Sequence, residues 1–280
     1  MLFGTRRWSA ELEISDRELA EMAASIVGML DMDSTRLPSP SVKFRLERTE
    51  KYCTLYIEGE LWSEWQQPEL VMADFHWAIL DAAFRSSPGT MAFHAGTFEL
   101  DGKRFMVPGL SGHGKSSLVL AACQQGALFG GDDLTWLDLD DGFIIPFPMA
   151  MALSDDGLAQ FGDDLKGAFF LSALVEREDK TECRNYLDPA LLGSKIMDSG
   201  PLSSVILRHP PFDGEGRLDR LGPGDALLEL YRHTQFNWDE RIEVFRQMGT
   251  VADEVPVFSA AGCKEDLIEL LKEMIHSENI

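Results

Sequence analysis

The sequence predicts an α/β protein. Runs of strand length alternate with stretches of helical apolar spacing; the run from Lys103 feeds a glycine-rich loop that opens onto a helix; and Asp101-Gly102 makes a two-residue hairpin signal just before it. The hairpin puts an antiparallel pair beside the loop, so the sheet is expected to be mixed. With 45% apolar and 10% aromatic residues, 280 residues suffice for one large domain or a core with a smaller lobe. The expected division is a small N-terminal α/β lobe over residues 1–87 and a larger domain over 88–280.

In chain order, Trp8 to Ile14 suits a strand, and Ser15 or Asp16 opens a helix running to about Met29. The segment DMDSTRLPSPS is a loop, rich in Pro, Ser and Asp. SVKFRLERTE and KYCTLYIEGELW alternate as two strands of a hairpin, and residues 67–86 carry apolar side chains at helical spacing. MAFHAGTFEL and KRFMVPG are strands, Lys115 to Cys123 a helix stopped by Gly126, and ALFGG a short apolar strand. Residues 154–200 carry no clear period. SSVILRH and VPVFSA suit strands, while GDALLELYRHT, DERIEVFRQMGTVAD and KEDLIELLKEMIHS suit helices.

Charge and composition narrow the function. The chain has 25 Lys and Arg against 47 Asp and Glu, a net charge of −22. A surface this acidic repels phosphate backbones, so nucleic acid is not an expected partner. No apolar run approaches the roughly 20 residues of a membrane span, and the first residues turn polar too soon for a secretory signal. Cytoplasmic residence is the resulting expectation, with no membrane partner. Cys53, Cys123, Cys183 and Cys263 form no C-x-x-C pair, which argues against a zinc site or a disulfide framework.

The stretch VPGLSGHGKSSLVLAACQQG contains G-x-x-x-x-G-K-S from Gly109 to Ser116. A phosphate cradle needs glycines so that backbone N–H groups converge on the anion, a lysine for the β- and γ-oxygens, and a hydroxyl for Mg²⁺. Gly109, Gly112 and Gly114 meet the first need, Lys115 the second and Ser116 the third. Leu110, Ser111, His113 and Ser117 complete the expected nucleotide-binding segment, with the His113 side chain pointing outward. Asp132-Asp133 follows the next apolar strand, where P-loop folds commonly place an acid near the metal. Successive side chains on a strand diverge, so one acid can face Mg²⁺ and the other a substrate hydroxyl. Asp138, Asp140 and Asp141 suit a solvated turn. His94 is a further candidate; His76, His209, His233 and His276 have no motif around them.

The sequence HAGTFELDGKRFMVPGLSGHGKSSLVLAACQQGALFGGDDLTWLD resembles the catalytic domain of HPr kinase/phosphorylase and its kinase-like relatives. As in that family, His94 precedes Lys115 by 21 residues, and Asp132 and Asp133 follow it by 17 and 18. GLSGHGKSS and GGDDLTW also resemble phosphoenolpyruvate carboxykinase, which shares the P-loop core. The resemblance implies a P-loop nucleotide-binding core of this type, binding ATP with Mg²⁺, while GTP stays open. It implies in-line transfer to a serine-type hydroxyl of a protein, peptide or small molecule. Asp133 would be the base with Asp132 its partner, or the two exchanged; Ser116 and Asp132 would hold the metal, and Lys115 and His94 would serve at the γ-phosphate. The family's further metal-binding glutamate is not evident after Asp156, which leaves open the reverse phosphorolysis and HPr itself as acceptor. A carboxykinase-like lyase and a non-catalytic nucleotide-binding module are the alternatives, and homo-oligomer formation stays open. Arg208 and Arg232 are candidates for cationic help from outside the loop, or for salt bridges.

Overall fold

The computed structural model describes residues 1–33, 35–161, 165, 168–177, 180–210, 212–235 and 240–277, and the chain divides into two units. One comprises residues 1–87 with 148–193, the other 88–147 with 194–280. Residues 148–193, expected within the 88–280 domain, therefore group with the N-terminal residues. The start of that segment is tied there by backbone hydrogen bonds. Met29 N–H donates to the Pro148 carbonyl at 3.0 Å, and Ala150 N–H to that of Ile26 at 3.1 Å. Gly28, at φ +58°, permits the approach: a Cβ there would lie 3.2 Å from the Ala150 nitrogen.

In the first unit, β1 (Leu2–Thr5), β2 (Trp8–Ile14), β3 (Val42–Arg48), β4 (Cys53–Ile57) and β5 (Glu60–Trp65) form one sheet in that order. β1 is a strand that the sequence reading lacks. The stretch expected as one strand from Lys51 to Trp62 bends at Glu58-Gly59, both at positive φ, into β4 and β5. Helix α1 (Arg17–Val27) starts where Asp16 accepts the Leu19 N–H at 2.9 Å, and it connects the parallel pair β2 and β3. Val42, Phe44 and Leu46 alternate inward along β3, and Phe44 meets Phe75 edge to face at 5.5 Å. Phe75 belongs to α2 (Pro68–Arg85), whose first residue is a proline, where no intrahelical N–H is needed. A second sheet has the order β12 (Met151–Ser154), β14 (Lys180–Leu187), β13 (Phe169–Arg177), with the short helix α4 (Asp155–Ala159) after β12.

The second unit holds a five-stranded and a six-stranded sheet. The former runs β15 (Gly200–Pro201), β11 (Phe143–Ile145), β10 (Thr135–Asp138), β6 (Thr90–Phe93), β18 (Thr234–Gln235). The latter runs β17 (Arg217–Arg220), β19 (Val257–Ala261), β16 (Ser204–Arg208), β8 (Lys103–Pro108), β7 (Ala95–Leu100), β9 (Leu128–Gly131). β8, β16 and β19 are parallel; β7, β9 and β17 run against their neighbours, so the sheet is mixed as expected. Asp101 and Gly102, at φ 49° and 78°, turn the β7–β8 hairpin. Helices α3 (Lys115–Gln124), α5 (Pro223–His233), α6 (Arg241–Glu254) and α7 (Lys264–His276) complete the unit. Its core gathers Phe93, Met106, Leu137, Val205, Leu207, Leu230 and Met248, all within 1% of full burial. Among the described residues, no helix is long and apolar enough to cross a membrane.

Candidate functional site

Three neighbouring strands of the six-stranded sheet assemble the site. β7 is antiparallel to both β8 and β9, so its first residue lies beside the last residues of both: Ala95 pairs with Pro108, and Thr97 with Gly131. His94 precedes β7, the glycine-rich loop follows β8, and Asp132-Asp133 follows β9. Antiparallel pairing thus brings together three motifs that are up to 39 residues apart in sequence, His94 to Asp133. The Gly109 N–H donates to the His94 carbonyl at 3.2 Å, which fastens the loop's first residue to the histidine backbone. On the other side, the His94 imidazole lies with Nε2 3.4 Å from Asp133 Oδ1.

The loop turns sharply because Gly112 and Gly114 adopt φ 82° and 72°, the left-handed region that other residues enter at a cost. Gly114 is the N-cap of α3, and its carbonyl accepts the Leu118 N–H at 3.0 Å. The N–H groups of the helix's first turn therefore point back into the loop, the usual arrangement for an anion. Lys115 is 5% exposed, and its Nζ donates to the Leu110 carbonyl at 3.2 Å. That contact uses one of three ammonium donors. Ser116 is half-buried on the same turn, and Ser117 is buried. At the end of β9, Asp132 is 5% exposed, while the Asp133 side chain is 29% exposed beside His94.

No known sequence family matches the chain, and no curated protein does. Among solved structures, the HPr(Ser) kinase/phosphatase from Coxiella burnetii is similar with a TM-score of 0.31. Sequence identity is 14%, and the match covers 67% of this chain and 95% of that one. At that level of agreement the site rests on its own geometry.

Two expectations change, those for His113 and Asp138. His113 does not simply point outward: it is half-buried, and burial, then Lys115 and His209, hold its pKa below the ordinary imidazole value. Asp138 lies in β10 at 1% exposure, where it accepts the Asp140 N–H at 3.0 Å, so it is no solvated turn residue. Arg232, open as a cationic helper or a salt bridge, pairs with Glu229 one turn earlier on α5. Arg208, by contrast, is buried against the loop, donating to the Gly114 carbonyl at 3.1 Å. His233, without a motif in sequence, also lies here: its carbonyl accepts the His94 N–H at 3.2 Å, and its buried Nδ1 has no hydrogen-bond partner among the described residues. Burial foremost holds its pKa down; Glu229 opposes this, and His113, His94 and Lys115 add to it. The Cys123 thiol, on α3, is pushed up to about 12 mainly by burial, so it stays protonated at neutral pH.

The oxygen donors suit a hard divalent cation. Among the described residues no three His, Cys, Asp or Glu side chains converge into a protein-only metal cage. Magnesium typically takes one or two protein oxygens and completes its shell with substrate phosphates and water. Ser116 and Asp132 are the side chains of suitable chemistry at this edge.

Proposed function

We propose that the second unit binds ATP at Gly109–Ser117 and transfers its γ-phosphate to a serine-type hydroxyl. The observation that carries this reading is the His94–Asp133 pair at 3.4 Å beside a loop whose lysine is buried at the mouth of a helix. A carboxylate that is exposed on one side and bound to a histidine on the other is placed to take a proton from a docking hydroxyl.

In this reading the loop amides and Lys115 grip the β- and γ-phosphates. Ser116 and Asp132 would hold Mg²⁺, which when bound would neutralise phosphate charge. Asp133 accepts the hydroxyl proton as the oxygen attacks phosphorus and the bond to the β-phosphate oxygen breaks; His94 orients the carboxylate. Positioning and electrostatics carry most of such catalysis.

Two variants test the reading. Lys115→Ala should abolish ATP–Mg²⁺ binding measured by calorimetry, with an unchanged circular dichroism spectrum. Asp133→Asn should keep nucleotide affinity and lower transfer of labelled phosphate by about 10²–10⁴-fold, the range for losing a general base. Parent-like binding by the lysine variant would show that the loop is not the nucleotide site. Parent-like transfer by the aspartate variant would remove Asp133 from the chemistry.

A further inference from the structure

Arg208 ends β16 with 3% of its surface exposed. Its Nη1 donates to the Gly114 carbonyl at 3.1 Å, and its Nη2 to the Gly262 carbonyl, just before α7, at 2.9 Å. The guanidinium carbon lies 5.0 Å from the centre of the Phe212 ring. Nε is buried without a hydrogen-bond partner, and no carboxylate ion-pairs with the group among the described residues. Burial brings its pKa down to about 10, against the opposing influence of Cys263 and Glu265, so it remains charged at neutral pH. A buried cation normally has an anionic partner, because desolvation without one is costly. Here the fold supplies two carbonyls and a ring instead.

The position of those carbonyls is informative. In a trans peptide the C=O and N–H point in opposite directions, so holding the Gly114 carbonyl aims the Lys115 N–H toward the inside of the loop. That N–H is among the helix's unused first-turn donors. Gly114 has no room for a side chain, since a Cβ there would lie 2.5 Å from Nη1. The parallel strands β8, β16 and β19 end at one edge, where Arg208 joins the glycine-rich loop after β8 to Gly262 after β19.

We infer that Arg208 is a positioning residue for phosphate binding: it fixes the Gly114–Lys115 peptide toward the anion, and the bound phosphates balance its charge. This rests on the reading of the loop as a phosphate site. Calorimetry of the full chain with pyrophosphate and with ATP–Mg²⁺ separates the two. A parent chain that binds neither, or a Lys115→Ala variant that binds both, defeats the site reading and this inference with it. Given a working loop, Arg208→Met should weaken both ligands on the order of ten- to a hundredfold, the range for one charge-assisted hydrogen bond. Arg208→Lys keeps the charge with a single compact head and should recover part of that loss. The Leu118 amide, bonded to the Gly114 carbonyl, should exchange faster in the methionine variant while the Ala122 amide stays slow. A folded methionine variant with parent affinity for pyrophosphate overturns the inference. If that variant does not fold, the lysine variant decides: parent-like affinity with parent-like Leu118 exchange is the overturning result, and a loss of both supports the inference.

Discussion

At the residue scale, the histidines around the loop have a consequence for stability. His233 is held below the ordinary imidazole pKa by burial, and its Nδ1 has no hydrogen-bond partner among the described residues. The unfolded chain therefore takes up a proton at this residue more readily than the folded one. Stability tied to His233 is complete above the unfolded value of about 6.5 and is lost as pH falls from there through the lower folded pKa. His233→Gln should accordingly reduce the drop in urea midpoint between about pH 7 and pH 5.5, relative to the parent. An equal drop in both proteins would show that His233 carries none of the acid sensitivity. His233 also marks where sequence reasoning was silent. His94, Lys115, Ser116 and the aspartate pair were legible because their spacing is local. The approach of His233 to His94 spans 139 residues and leaves no trace in either neighbourhood.

At the element scale, two glycines in the left-handed region make a controlled comparison. Gly102 in the β7–β8 turn has φ 78° and open space where a Cβ would go; Gly114 has φ 72° and Arg208 Nη1 at 2.5 Å. Gly102→Ala should cost only the backbone term, about 1 kcal/mol, and leave nucleotide affinity unchanged. Gly114→Ala adds a clash with a buried guanidinium and should cost more, with loss of nucleotide binding. Chemical denaturation and calorimetry on both variants check this; equal effects would mean that the loop tolerates displacement of Arg208. The same elements show what the sequence made legible. Asp101-Gly102 announced its hairpin, and α5, α6 and α7 followed from apolar spacing. β14 did not, because residues 180–185, KTECRN, offer no apolar face. Asn185 is buried there by bonding instead, donating to Asp155 Oδ1 at 2.9 Å and accepting from Ser172 at 2.8 Å. Polar pairing of that kind is invisible to a hydrophobic period. The grouping of residues 148–193 with the N-terminal unit was hidden for a similar reason, since backbone hydrogen bonds to Met29 and Ile26 begin it.

At the scale of the whole molecule, the charge of −22 opposes the approach of any nucleotide. In the proposed reading, local attraction comes from Lys115, the mouth of α3 and the charge of Arg208, two of them side chains at 5% exposure or less. These act at short range in surroundings where salt screens little, whereas repulsion from the acidic surface acts over a Debye length of roughly 10 Å at 0.1 M and is screened readily. Added salt should therefore remove more repulsion than attraction during approach. The association rate of a fluorescent ATP analogue, followed by stopped flow, should rise a few-fold between about 20 and 200 mM NaCl, with a dissociation rate that changes little. A basic nucleotide-binding protein should show the opposite trend. An association rate that falls steeply with salt here would mean that the field at the loop is positive well beyond the contact distance. The acidic surface would then have to lie away from the approach path.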